Sequence, residues 1–136
     1  MIFTEPIAAE WKQHQSGFAR QWRTSMTARK KIDWIFVSED EALRRQLQEA
    51  GTTDKQKEAM LKDAHLIEAA SIQGKRIAAL DEIVRDLFRR SADLAPQLRD
   101  ICWVNPNRPI EDSLGWLSDG APADPFRMLG HDPSEE

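Results

Sequence analysis

Residues 62–88 read KDAHLIEAASIQGKRIAALDEIVRDLF, and the order of residue types along this stretch decides the fold class. Ala59, Met60, Ala64, Ile67 and Ala70 recur at helical intervals, and Thr53 or Asp54 ahead of them supplies a side chain able to cap a helix start. Gly74 is the expected C-terminal stop. Arg76-Ile77-Ala78-Ala79-Leu80 then reads as a short buried strand closed by Asp81, and Ile83, Val84, Leu87 and Phe88 form the apolar face of a following helix. The local order is helix, strand, acid, helix.

Upstream, Ile2-Phe3-Thr4 is a short strand, and Pro6 suits the first turn of a helix beginning near Glu5. That helix is expected to reach about Lys31, with Gly17 as a break, because Trp11, Phe18, Trp22 and Met26 keep a helical spacing. Trp34-Ile35-Phe36-Val37 is the next strand. Ser38 with Glu41 makes a capping box for a helix that runs to about Ala50 and ends at Gly51. Downstream, Ile101-Cys102-Trp103-Val104 is a further strand, Asn105-Pro106-Asn107 a turn, and Glu111 to Leu117 a short helix. No internal repeat is present.

Strands alternating with helices at this spacing predict a three-layer α/β/α domain with a mostly parallel sheet over residues 1–118, followed by an acidic, irregular tail over 119–136. In such sheets ligands gather beyond the carboxyl ends of the strands, and those positions are acidic in this chain.

With 136 residues, the chain is long enough to bury a core as one domain. Charged residues make up 31%, but five Trp and five Phe argue against general disorder. The single Cys102 excludes an internal disulfide framework and fits a reducing, cytoplasmic setting, where it reads as a buried apolar thiol rather than a nucleophile. No stretch approaches the roughly 18 consecutive apolar residues of a membrane span, and the opening residues lack a signal-peptide pattern.

The net charge of −4 is unevenly placed. Lys12, Arg20, Arg23, Arg29, Lys30 and Lys31 face only Glu5 and Glu10 in residues 1–31, so the head is basic and the remainder acidic. The basic run is a candidate RNA-phosphate surface, and Trp11 or Trp22 a candidate base-stacking ring. The same residues also fit a solvated helical face with its aromatics turned inward.

Glu10, Asp63 and Asp81 are the candidate metal ligands. Each follows a strand or heads an apolar helical row, and converging carboxylates repel one another until a hard divalent cation relieves them. Each also has a plainer explanation: Asp63 in the solvent row of a charged helix, Glu10 beside Lys12 or His14, Asp81 as the cap of the helix Glu82–Arg90. His65 and His131 lack the HxxxH type of spacing, so no zinc site is expected.

Residues 62–88 resemble the third and fourth motif region of PIN-domain (PilT N-terminal) nucleases. There an Asp opens a helix of the form D-x-x-L/I-x-x-A-A, followed by a Gly-containing turn, a hydrophobic strand and a second Asp at the next helix. Asp63, Leu66, Ala69, Ala70, Gly74 and Asp81 match that order. IFTEPIAAEW is similar to the second motif, with Glu10 in the place of its metal-site Glu. Together the motifs cover about half of the chain. The first motif, a strand ending in Asp, has no counterpart before Met1, so the expected fold is PIN-like and N-terminally shortened.

The resemblance implies that Glu10, Asp63 and Asp81 are catalytic and hold Mg²⁺ or Mn²⁺ for hydrolysis of RNA phosphodiesters, with Glu82 a weaker candidate ligand. It also implies a toxin of a toxin–antitoxin pair. Raw sheet edges left by an absent strand point to a homodimer or to a strand-donating protein partner. The competing expectations are a catalytically inactive PIN-like module that binds RNA or protein, and a plain dimerisation module.

Overall fold

The computed structural model describes residues 2–14, 33–34 and 37–132. It divides into an N-terminal unit, Met1–Ser38, and a C-terminal unit, Glu39–Glu136.

In the N-terminal unit, strand β1 (Ile2–Phe3) pairs in parallel with β2 (Asp33–Trp34), Ile2 opposite Asp33 and Phe3 opposite Trp34. Thr4 turns the chain from β1 into helix α1 (Glu5–His14). Its Oγ1 accepts from Ile7 N at 3.3 Å and its carbonyl from Ala8 N at 3.0 Å, so buried Thr4 satisfies two amides of the first turn. The expected continuation of this helix through Phe18, Trp22 and Met26 lies outside the described residues, as do Ile35 and Phe36 of the expected second strand.

The C-terminal unit begins with α2 (Glu41–Ala50) and α3 (Asp54–Ile72). The cap of α2 is Asp40, not Ser38: its carboxylate accepts from Leu43 N at 3.0 Å, while its own amide donates to the Glu68 carboxylate. That long-range contact holds Asp40 extended at the helix start and displaces the expected capping box. Thr53 caps α3 by accepting from Gln56 N at 3.1 Å, as its residue type predicted.

Leu43 and Leu47 of α2 pack with Met60, Ala64 and Ile67 of α3, all buried. Arg44 locks the pair through a two-pronged bond to Glu68, Nη2 to Oε1 at 2.8 Å and Nε to Oε2 at 3.1 Å. Gly74 and Lys75 follow with φ of +85° and +53°, a left-handed turn that reverses the chain into β3 (Arg76–Ala78).

Strand β3 pairs in parallel with β4 (Cys102–Val104), Ile77 opposite Trp103, and the connection between them carries α4 (Glu82–Ser91) and a 3-10 turn at Pro96–Leu98. The strand ends at Ala78 rather than Leu80. Ala79 N still donates to Val104 O at 3.1 Å, after which the chain leaves the ladder to start α4.

Trp103 and Ile77 join the main core with Phe88 of α4, whose ring lies 5.9 Å from the indole in a tilted pair. Cys102 and Val104 point the other way, into a smaller cluster with Trp116. All three β4 side chains are buried, which explains why this strand is a continuous apolar run. Cys102 is a buried free thiol, as expected.

Past β4 come a 3-10 turn at Pro109–Glu111 and the short helix α5 (Ser113–Ser118), in place of one helix over Glu111–Leu117. Asp112 separates them with φ of +46°. The stretch from Asp119, read from sequence as an irregular tail, contains a further 3-10 turn at Pro125–Arg127 and inserts Leu129 into the main core. Leu129 N donates to Ile101 O at 3.0 Å, and Gly130 lies so close to Arg99 that an added Cβ would stand 2.8 Å from the arginine Cβ.

The described residues form a mixed helix and strand structure, mostly helical, with parallel two-strand pairs. Among the described residues no helix is long and apolar enough to cross a membrane.

Candidate functional site

The carboxyl ends of β3 and β4 point to one place in the C-terminal unit, and polar side chains collect there. Asp81 follows β3 as the cap of α4, its Oδ1 accepting from Ile83 N and Val84 N, each at 3.1 Å. Its Oδ2 has no hydrogen-bond partner among the described residues, and the side chain is exposed.

Asn105 follows β4 and is buried. Its Nδ2 donates to Leu80 O at 3.2 Å, its Oδ1 accepts from Asn107 N at 2.9 Å, and its amide donates to Glu111 Oε1 at 3.0 Å. One side chain therefore ties the exit of β3 to the exit of β4 and fixes the backbone immediately before Asp81.

Behind Asp81 lies an ion network. Arg85 donates through Nη1 to Glu111 Oε2 at 2.8 Å and to Glu82 Oε2 at 3.2 Å, and through Nη2 to the Trp103 carbonyl at 3.0 Å. Arg108 adds a bond to Glu82 Oε1. Burial works to raise the Glu82 pKa, but the hydrogen bonds from Arg108 and Arg85 outweigh it and hold this carboxyl below its ordinary value. Burial likewise opposes the charge on Arg85, and the hydrogen bond to Glu111 overcomes it, so the guanidinium is held above its ordinary value. Arg89, one turn further along α4, is pushed below its ordinary value by burial and by the neighbouring Arg85 charge.

Asp63 sits midway along α3, partly exposed, in a row distinct from the buried Ala64 and Ile67. A carboxylate oxygen of Asp63 and a ring nitrogen of His65 lie within 4.8 Å of one another. Sequence spacing gave no reason to associate them, because residues two apart on a helix diverge. The pair offers one carboxylate oxygen and one imidazole nitrogen. Asp81 is not in a group of three or more His, Cys, Asp or Glu side chains within ligand reach among the described residues. Its carboxylate folds back over the first turn of α4 instead.

In the N-terminal unit, Glu10 is on α1, partly exposed, on the helix that leaves the carboxyl end of β1. Lys12 belongs to the same helix. Arg20, Arg23, Arg29, Lys30 and Lys31 lie outside the described residues.

No family model, curated protein or solved structure matches the chain.

Proposed function

We propose that this chain is a PIN-like, metal-dependent ribonuclease that hydrolyses RNA phosphodiesters, with Asp63 and Asp81 as carboxylate ligands and Glu10 as the third acid named by the resemblance. The observation that carries this reading is Asp81: an exposed carboxylate with one uncommitted oxygen, at the carboxyl end of a parallel strand. The burial of β4 on both faces is what a sheet covered by layers on either side, as in the proposed three-layer fold, would require.

A bound Mg²⁺ or Mn²⁺ would supply a water of lowered pKa and charge neutralisation at the phosphate. The chain's own part is to hold the carboxylates. α4 fixes Asp81 through its two amide bonds, and Asn105 fixes the Leu80 carbonyl beside it. The basic run from Lys12 to Lys31 would neutralise RNA phosphates. A cytoplasmic toxin with an antitoxin partner, or a homodimer, is the setting that goes with this reading.

The test is calorimetric titration of the folded chain with Mn²⁺, repeated with Asp63→Asn and Asp81→Asn. Binding that both substitutions abolish supports the reading, and absence of binding at millimolar Mn²⁺ overturns it. One observation favours a second reading, a module that binds RNA without cleaving it: Asp81 already spends an oxygen on capping α4. That reading expects salt-dependent RNA binding that Mn²⁺ neither strengthens nor converts into cleavage.

A further inference from the structure

The ion network behind Asp81 contains Arg85, Arg89 and Arg108, and the acids that face them are Glu82 and Glu111. Glu82 gives Oε1 to Arg108 and Oε2 to Arg85. Glu111 gives Oε1 to the Asn105 amide and Oε2 to Arg85. All four oxygens of the two acids are engaged. Asp86, the next acid along α4, pairs with Arg90 at 2.8 Å. Arg89 is left over: its guanidinium makes no hydrogen bond or ion pair among the described residues, although a guanidinium carries five donors.

Glu82, Arg85 and Arg89 follow one another at steps of three and four along α4, so they line one flank of it. Nε of Arg89 is buried without an acceptor, as is Nε of Arg85, while the Nη groups of the half-buried Arg89 reach the surface. Burial and the Arg85 charge both act against this cation. A partly desolvated guanidinium with its fork unused is a receptor for an oxyanion from outside the chain. Phosphate matches the fork in geometry. It also matches in position: Asp81 heads the same helix, and eight residues at ~1.5 Å each put Arg89 about 12 Å further along it. A nucleic-acid strand covers that distance in about four nucleotides at roughly 3.4 Å each, so a strand that reaches Asp81 also reaches Arg89.

We propose that Arg89 binds a backbone phosphate of single-stranded RNA, a few nucleotides from the phosphate presented at Asp81. Arg85, pinned by Glu82, Glu111 and the Trp103 carbonyl, stays with the protein and leaves Arg89 as the one network cation that turns to the ligand. The proposal rests on the RNA reading given above but needs neither metal nor cleavage.

The experiment uses the full chain and an end-labelled fluorescent oligouridine, in EDTA, with fluorescence polarisation followed over a range of salt concentrations. Arg89→Met should weaken binding several-fold and lower the slope of log affinity against log salt by about 0.7, the loss of one single-strand phosphate contact. Arg89→Lys should keep the slope and bind less tightly than wild type, because it retains the charge and loses the fork. Arg45→Met, which removes the same charge from an exposed position on α2, should match wild type in both. Thermal melting of Arg89→Met should be no lower than wild type, because no internal partner is lost. Equal effects of Arg89→Met and Arg45→Met, or no RNA binding by wild type, overturn the proposal. So does a melting temperature for Arg89→Met as low as that of Arg85→Met, which would reveal an internal partner. Binding of a labelled oligoglutamate, but not of RNA, with the same dependence on Arg89 would assign the residue to an acidic protein segment instead. The Mn²⁺ titration bears on the nuclease reading alone, so the two can fail separately.

Discussion

Arg85 and Glu111 meet at 2.8 Å, Nη1 to Oε2, with side chains only 8% and 14% exposed. The contact joins the first turn of α4 to the 3-10 turn after β4, so a buried charge pair, beside the more exposed Arg108–Glu82 contact, holds together the two chain segments that leave the carboxyl ends of β3 and β4. The second Arg85 nitrogen covers the Trp103 carbonyl, which the β3 ladder does not reach.

Replacing Arg85 by Met should therefore cost about 3 kcal/mol in urea-induced unfolding, because it takes from the largely buried Glu111 its nearest cation, leaving only the Asn105 amide and Arg108 at 3.6 Å, and leaves the Trp103 carbonyl without the Arg85 donor. Arg90→Met, which removes an exposed pair with Asp86, should change stability by less than about 0.5 kcal/mol. Equal effects would contradict the role assigned to Arg85.

The lowered pKa of Glu82 sets a pH dependence with a definite sign. A carboxyl whose folded pKa lies below its ordinary value of 4.5 binds protons more readily in the unfolded chain, so its contribution is present above that value and is lost as pH falls through the folded pKa. Wild type should be more stable than Glu82→Gln at neutral pH, and the two should converge under acid, below the ordinary carboxylate range. Thermal melting from pH 7 down to pH 3 checks this; a gap that persists or widens under acid would refute it.

Asp81 has two roles that substitution can separate. Asn caps a helix about as well as Asp, so Asp81→Asn should keep the melting temperature while removing the charge that a metal needs. Asp81→Ala should lose about 1 kcal/mol of stability as well, through the unsatisfied amides of Ile83 and Val84. If Asn and Ala destabilise equally, the cap is not what holds this turn.

Asn105 is the clasp between the two strand exits. Asn105→Ala exposes no new surface but deprives the Leu80 carbonyl and the Asn107 amide of partners, at a cost of about 1–3 kcal/mol. Amide hydrogen exchange should show the loss concentrated at residues 79–84 and 104–108 rather than spread through α2 and α3.

The stretch 62–88 was legible because its determinants are local. Apolar spacing in α3 and α4, Thr53 and Asp81 as caps and Gly74 as a left-handed turn each act within a few residues. β4 was legible as an apolar run, since burial on both faces suppresses alternation. The capping box at Ser38 failed for a nonlocal reason: Asp40 is as good a cap, and Glu68, distant in sequence, holds its amide. The acid Asp81 was readable as a residue after a strand, whereas the approach of His65 to Asp63 was not, because helical spacing alone separates them.

The sequence by itself determined the order of helices and strands in the C-terminal unit, the parallel character implied by their alternation, and the position of Asp81 after β3. Those follow from short-range backbone preference and from apolar periodicity, which any few turns of chain express. Only the tertiary structure decided that Arg85 binds Glu111, that Asn105 clasps Leu80, and that Leu129 enters the core beside Ile101. These contacts join residues brought together by the β3–β4 pairing and the packing of α4. Their energy comes from pairing charged and backbone polar groups whose burial alone would cost free energy, and from burying the Leu129 side chain, and no residue type displays these partners until the chain has folded around it.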